Sequence, residues 1–523
     1  MTDRHPDGTG LVEPRPLVIR DLLARGRDRL DRLSDGQLLD LLEDAVYHER
    51  KRLERVPAPE AELARLDAAS RAIVRGERAD RQTAAAELVR AWAEEIHGRF
   101  DPRVYRFATS ILPRGLNALL SSPSRGLLDR THTPESRIQV EGELAWVREL
   151  AAEATVILAP THVSNMDSPI IGYALFAAGL PPFVYGAGLN LFSNPMIGWW
   201  MHRLGAYTVD RTKRAALYKS VLKDYSVRAL VTRHHSLFFP GGTRARSGAL
   251  ERHLKKGLLG TGIAAWQEML AANRPDSEVY VVPCSLSYQL VLEANSLIED
   301  FLAESGKQRF IITDDEFAQP RRIAEFARRV LDLDAAVVVR FGAPLDVLGN
   351  PVARDLVDRE AQAVDRRRYV TDRDGKVERD EQRDFVYTER LSHALTEAYR
   401  RDSYAMTTHV AALAAWRCLV RAHGSSDPFR LLRLPAEGRR IPREAFLAEL
   451  TRCMERVEVG RVAGQWQADL PGSAEATLAV ALDRFGRYHR TRALAVHGSD
   501  LVVEDAKLCF YYRNRASHLE GDS

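Results

Sequence analysis

The chain has 523 residues, 45% of them hydrophobic and 28% charged, enough to bury a sizeable core and more than a single domain of roughly 100–200 residues requires. Its 75 Lys and Arg stand against 72 Asp and Glu, and the net charge of +3 excludes the broad positive field of a general nucleic-acid binder. Four cysteines, Cys284, Cys418, Cys453 and Cys509, lie far apart without a CxxC pair, so neither a disulfide scaffold nor a sequence-local zinc site is indicated.

Residues 1–16 read as a solvated tail without the apolar stretch of a secretion signal, which points to a cytoplasmic protein or one on a surface facing the cytosol. Residues 17–139 form a helical N-terminal region: Leu17 to Val56 and Glu60 to Phe100 carry apolar residues at helical spacing with little β-branched content. From Phe100 to Leu128, aromatics and leucines mix with Arg103, Arg106, Arg114 and Arg125. Such a segment can lie on an anionic membrane interface or pack as a linker helix on the next domain.

The pattern then changes. Residues 140–352 alternate short β-rich runs with helical stretches, the runs being Thr155–Ala159, Phe183–Tyr185, Ala206–Val209, Ser236–Phe239, Val279–Pro283, Phe310–Thr313 and Ala335–Phe341. The expected fold class is α/β, a mixed, mainly parallel sheet flanked by helices. Within it, Ser168 to Met201 carries no Lys, Arg, Asp or Glu, but its prolines and glycines argue for core and an apolar groove rather than a membrane span. Residues 353–384 hold dense charge clusters and read as a solvated connection, loop or helical. Residues 385–523 return to helical spacing as a C-terminal helical region.

Four clusters carry candidate chemistry. In THVSNMDSP, directly after the run TVILA, His162 and Asp167 form an H-x-x-x-x-D pair at the sheet edge where open α/β folds place ligands. An imidazole titrates near neutrality, and a carboxylate on its other nitrogen fixes the tautomer. With no nucleophile elbow such as G-x-S-x-G, the pair suits activation of a substrate hydroxyl; Asp167 reads equally as a helix N-cap. RLGAYTVDRTKR and FFPGGTRARSG follow, and the stretch from Arg203 to Lys256 holds thirteen basic residues against Asp210, Asp224 and Glu251. Glycines there allow close backbone approach and Arg244 and Arg246 offer planar forks for phosphate oxygens. The alternative is a solvated basic face. The fourth, VYVVPCSLSYQLVLE, reads as a strand ending at Pro283 that floors the site and lines an apolar pocket, or as plain core. His234 and His235 read as strand-leading residues, and no metal site is called for.

In order, these clusters resemble the signature blocks of the glycerol-3-phosphate acyltransferase family, within the glycerolipid acyltransferases. HVSNMD is similar to its catalytic block, GAYTVDR to its second, FPGGTRARSG to its phosphate-binding block and VPCSLSYQLVLE to its fourth; VVVRFGAPLDV and KLCFYYRNRASH resemble later segments of the long branch. The resemblance implies His162 as general base on the sn-1 hydroxyl of glycerol 3-phosphate and Asp167 as its orienting partner. It implies substrate-binding roles for Ser164, Arg211, Gly242, Thr243, Arg244, Arg246 and Lys255. It also implies acyl-CoA or acyl-carrier protein as co-substrate, no cofactor or metal, and peripheral contact with the inner face of the cell membrane. One departure stands out: the family usually has a glutamate where this chain has Gly241, which leaves acceptor identity open among glycerol 3-phosphate, lysophosphatidate and dihydroxyacetone phosphate. A thioester hydrolase and a non-catalytic acyl-carrier- or membrane-binding relative are the other readings.

Overall fold

The computed structural model describes residues 13–55, 59–109, 138–189, 195–305 and 337–520. Four helices open the chain: Arg15–Arg32, Asp35–Leu53, Glu60–Arg75 and Arg78–Ile96. The periodic stretch after residue 17 is interrupted at Ser34, where a reciprocal capping box with Gln37 starts the second helix. The described chain begins at Glu13, within the stretch read as tail, and the first helix starts at Arg15. The last residues of that stretch are structured because Pro16 stands at the start of the first helix and Glu13 pairs with the buried Arg228.

The central element is an eight-stranded sheet of β1 (Ile138–Gly142), β2 (Thr155–Pro160), β3 (Val184–Gly188), β4 (Ala206–Val209), β5 (Ser236–Leu237), β6 (Val279–Tyr288), β7 (Val337–Phe341) and β8 (Leu345–Asp346). Its order is β1-β7-β6-β2-β5-β3-β4, with β8 also pairing with β6. β6, β2, β5, β3 and β4 run parallel. β7 and β8 run antiparallel to β6, and β1 lies parallel to β7. The fold is thus α/β with a mostly parallel sheet flanked by helices. All six residues of β2 and all ten of β6 are buried, as expected for central strands covered on both faces.

Three boundaries differ from the sequence reading. β6 continues past Pro283 to Tyr288, because Pro283 falls where its neighbour changes: Tyr280 and Val281 pair with β8, Cys284 to Tyr288 with β7. At such a gap a missing N–H costs no ladder bond. The edge strand β1 and the two-residue β8 were not expected. The charged connection contains the helix Leu356–Arg367, whose Arg359 and Arg366 are buried and pair with Glu153 and Glu278, so it packs on the α/β layer instead of standing in solvent. The expected strand Phe310–Thr313 and the start of Ala335–Phe341 lie outside the described residues, as does the segment after residue 109.

The two helical regions are packed onto the sheet domain. The C-terminal helices Thr407–His423, Arg443–Val462, Ala474–Phe485 and Ala506–Arg515 share one core with β2, β6 and β7. The N-terminal four form a second core with Tyr207, Leu217, Tyr218 and Val221. Two of the thirteen basic residues between Arg203 and Lys256 serve this packing: Lys213 pairs with Glu95, and Arg228 with Glu13 and Asp21. Asp224, one of the few acids there, accepts both Arg29 nitrogens at 2.7 and 2.8 Å. Among the described residues no helix is long and apolar enough to cross a membrane.

Candidate active site

β2 ends at Pro160, and the loop from Thr161 to Met166 carries the chain into the helix Asp167–Ala177. Thr161 fixes the start of this loop by donating its N–H to the Cys284 carbonyl and accepting the Leu286 N–H on its hydroxyl. His162 therefore stands at the carboxyl end of a central strand. Its Nδ1 lies 2.8 Å from Asp167 Oδ2. The same oxygen accepts the N–H groups of Val163 (2.6 Å) and Ser164 (3.0 Å), and Asp167 Oδ1 accepts the Tyr288 hydroxyl at 2.5 Å. Asp167 thus ties the preceding loop together instead of capping its own helix. With a carboxylate accepting at Nδ1, the neutral imidazole keeps its lone pair on Nε2. The His162 ring stacks on Phe239 with centroids 4.1 Å apart, and its side chain remains 12% exposed, so a substrate can reach it. Burial, then the Asp167 charge, holds the Tyr288 phenol well above its ordinary value and keeps it a donor.

A second carboxylate organises the other side. Glu293, fully buried, accepts the Ser164 hydroxyl at 2.7 Å, the Asn165 N–H at 2.7 Å and Arg244 Nη1 at 3.1 Å. A hydrogen-bond chain therefore runs from the His162 loop to Arg244. Arg211 follows β4 at a turn stabilised by Asp210, whose Oδ1 accepts the Thr212 N–H. Arg211 is exposed, and its guanidinium is held below its ordinary value, first by desolvation and then by the charge of Arg244. Two cations that disfavour each other mark a place where an anion is welcome.

Other expected residues are placed differently. Ser164 is fully buried, its hydroxyl engaged by Glu293 and the Met166 N–H, so it lies under the loop and out of an acceptor's reach. Arg246 reaches across to Glu304 on the helix Ala294–Ser305. Gly242, at φ +76°, carries the Lys255 stem: a Cβ there would lie 2.9 Å from Lys255 Cγ. Thr243 and Lys255 are exposed beside it. His235 accepts the Val156 N–H at 3.1 Å, and among the described residues no cluster of three or more His, Cys, Asp or Glu could hold a metal.

The sequence reading singled out neither Glu251, Tyr288 nor Glu293. Glu251 Oε1 accepts the backbone N–H of His162 at 2.6 Å. Burial pushes its carboxyl up to about 7, against the His162 N–H bond, which lowers it. An apolar cavity opens beside Asn165 and Ser168, walled by Tyr105, Ile171, Phe176, Phe183, Tyr185 and Leu237. Its walls come from β3, β5 and helices. The fourth block, expected to line it, instead runs beneath the histidine loop.

The family model described as Acyltransferase matches residues 137–287, the segment from the residue before β1 to the penultimate residue of β6. Over residues 137–287 the chain is similar to that family. A glycerol-3-phosphate acyltransferase of Xanthomonas axonopodis pv. citri is 25% identical over 275 residues, 52% of this chain and 28% of that protein. Another, from Ectopseudomonas mendocina, is 30% identical over 197 residues, 34% of this chain and 23% of its own length. This chain thus spans about a quarter of the length of these relatives. The solved 1-acyl-sn-glycerophosphate acyltransferase of Thermotoga maritima overlaps 56% of this chain and 82% of its own at 15% identity and a TM-score of 0.25. His162, Asp167, Arg211 and Arg244 fall within the matched segment, Tyr288 lies one residue past it, and Glu293 follows shortly after.

Proposed function

We propose that the chain is an O-acyltransferase that moves a fatty acyl group from acyl-CoA or acyl-carrier protein to the sn-1 hydroxyl of glycerol 3-phosphate, giving lysophosphatidic acid for phospholipid synthesis. The observation that carries this reading is an imidazole with a carboxylate on Nδ1 and its lone pair on Nε2, joined through Ser164 and Glu293 by one hydrogen-bond chain to Arg244. His162 Nε2 takes the proton of the acceptor hydroxyl as that oxygen attacks the thioester carbonyl carbon. The C–S bond then breaks, and the departing sulfur receives the same proton from the imidazolium. Asp167 stabilises the charged ring meanwhile. The nucleophile is the acceptor itself: the Ser164 hydroxyl is bonded to Glu293, and burial pushes the Cys284 thiol far up. Arg244 and Arg211 hold the acceptor phosphate so that the attack geometry is set on binding, and the apolar cavity takes the acyl chain.

Release of thiol from long-chain acyl-CoA, with and without acceptor, tests this. The expected result is release that requires glycerol 3-phosphate and exceeds release with lysophosphatidate or dihydroxyacetone phosphate. Equal release without acceptor indicates a hydrolase, and none under any condition removes the enzyme reading. Exposed Phe107 and Trp199, with Phe176 at the cavity, support peripheral seating on an anionic membrane face. Failure of the chain to co-sediment with anionic vesicles would remove that part.

A further inference from the structure

Gly241 is a glycine for a reason its backbone does not supply. Its φ is not positive, unlike that of Gly242 or Gly248, so an L residue could adopt the conformation. What crowds a side chain there is the carboxylate of Glu251: a Cβ on residue 241 would stand 3.0 Å from both Glu251 Cγ and Oε1 and 3.4 Å from Cδ. The space at 241 is therefore occupied from ten residues downstream, and a side chain at 241 would push Glu251 from this position by a few tenths of an ångström.

In that space Glu251 grips the backbone of His162. Its Oε1 accepts the His162 N–H at 2.6 Å, and the His162 carbonyl accepts the Ala245 N–H at 2.8 Å. The segment around residues 240–251 thus holds the histidine's main chain at both polar groups, while Asp167 holds its ring. We propose that Glu251 is a positioning residue for the His162 imidazole, and that Gly241 is the space this requires. The inference rests on the acyl-transfer reading for its kinetic test but not for its spectroscopic one. It concerns geometry at the main chain: the carboxylate supplies an acceptor to a part-buried N–H, and a misplacement of the base by about 1 Å can cost on the order of 100-fold in rate.

The test compares Glu251→Ala with Glu251→Gln, whose amide oxygen can accept the same N–H. In acyl transfer, Glu251→Ala should lower kcat by roughly 10- to 100-fold with an almost unchanged acceptor KM, whereas Glu251→Gln should stay within about threefold of the parent. A wild-type kcat in Glu251→Ala, or a glutamine variant as impaired as the alanine one, overturns the proposal. Gly241→Ala should be harmful alone and add little in the Glu251→Ala background; full additivity overturns the shared-space claim. Without substrate, NMR of selectively ¹⁵N-labelled histidine should show the His162 ring resonances changed in Glu251→Ala and kept in Glu251→Gln. Unchanged resonances in Glu251→Ala refute the positioning role even if the chain performs another reaction. Absent acyl transfer with the expected NMR response refutes only the acyl-transfer reading.

Discussion

At the level of single residues, the site divides its labour between groups that face the cleft and groups that hold them. His162→Ala should abolish turnover, a loss of at least roughly 10²–10⁴-fold, while the far-ultraviolet circular dichroism and melting midpoint stay near the parent, because the ring is partly exposed. Retained turnover in that variant ends the assignment. The arginines should separate. Arg211→Ala and Arg244→Ala should each raise the acceptor KM, whereas Arg246→Ala should do so much less, since Glu304 already engages its guanidinium; equal KM values across the three would contradict that difference. His162 and Asp167 were legible because their contact spans five residues. Tyr288 and Glu293 were not, because they reach the loop across separations of 121 and 129 residues. A signal existed in the serines, Gln289 and Glu293 that punctuate a buried apolar run. The departure at Gly241 read as a missing carboxylate. The structure brings a carboxylate to within 3.0 Å of that place, from a residue no spacing rule connects to it.

Among elements, the loop from Arg244 to Glu251 is clasped by the C-terminal helix Ala506–Arg515. Asn514 Nδ2 donates to the Ser247 carbonyl at 2.8 Å, and the buried Arg515 donates to the carbonyls of Gly248 and Leu286. Gly248, at φ +85°, has no room for a side chain, since a Cβ would lie 2.4 Å from the Tyr511 carbonyl oxygen. Asn514→Ala should therefore loosen the arginine loop and raise the acceptor KM up to roughly tenfold, the scale of one hydrogen bond, with intact secondary structure; an unchanged KM would mean that the loop holds itself. Six of the eight sheet strands, β2 to β7, could be placed from β-rich runs alone. β8 could not, being two residues long, and the end of β6 was hidden by a proline that is tolerated only because two antiparallel neighbours meet there.

For the whole molecule, the buried histidines set the acid limit. Burial, with the Arg15 and Arg228 charges, holds His97 at about 4; burial holds His489 at about 4 and, with the Arg515 and Arg400 charges, His518 at about 3. Each takes up its proton in the unfolded chain near 6.5 and in the folded one only far lower, so the unfolded state binds more protons between those values. The denaturation midpoint should stay level above about pH 6.5 and fall as pH drops toward 4; a midpoint independent of pH through that window would show that these histidines are not held neutral. The charge arithmetic of the sequence was right in total and misleading in distribution. The excess assigned to one anion patch is shared with the N-terminal helices through Lys213 and Arg228.

The clasp on the arginine loop has a consequence for biosynthesis. Arg515 meets Gly248 across 267 positions of sequence, so a ribosome that has made the histidine, its aspartate and both cleft arginines has still not made the strap that steadies their loop. Nascent and prematurely terminated chains would carry every reactive group and lack the order that makes them useful. The arginine loop gains this support only once the helix Ala506–Arg515 has docked against it.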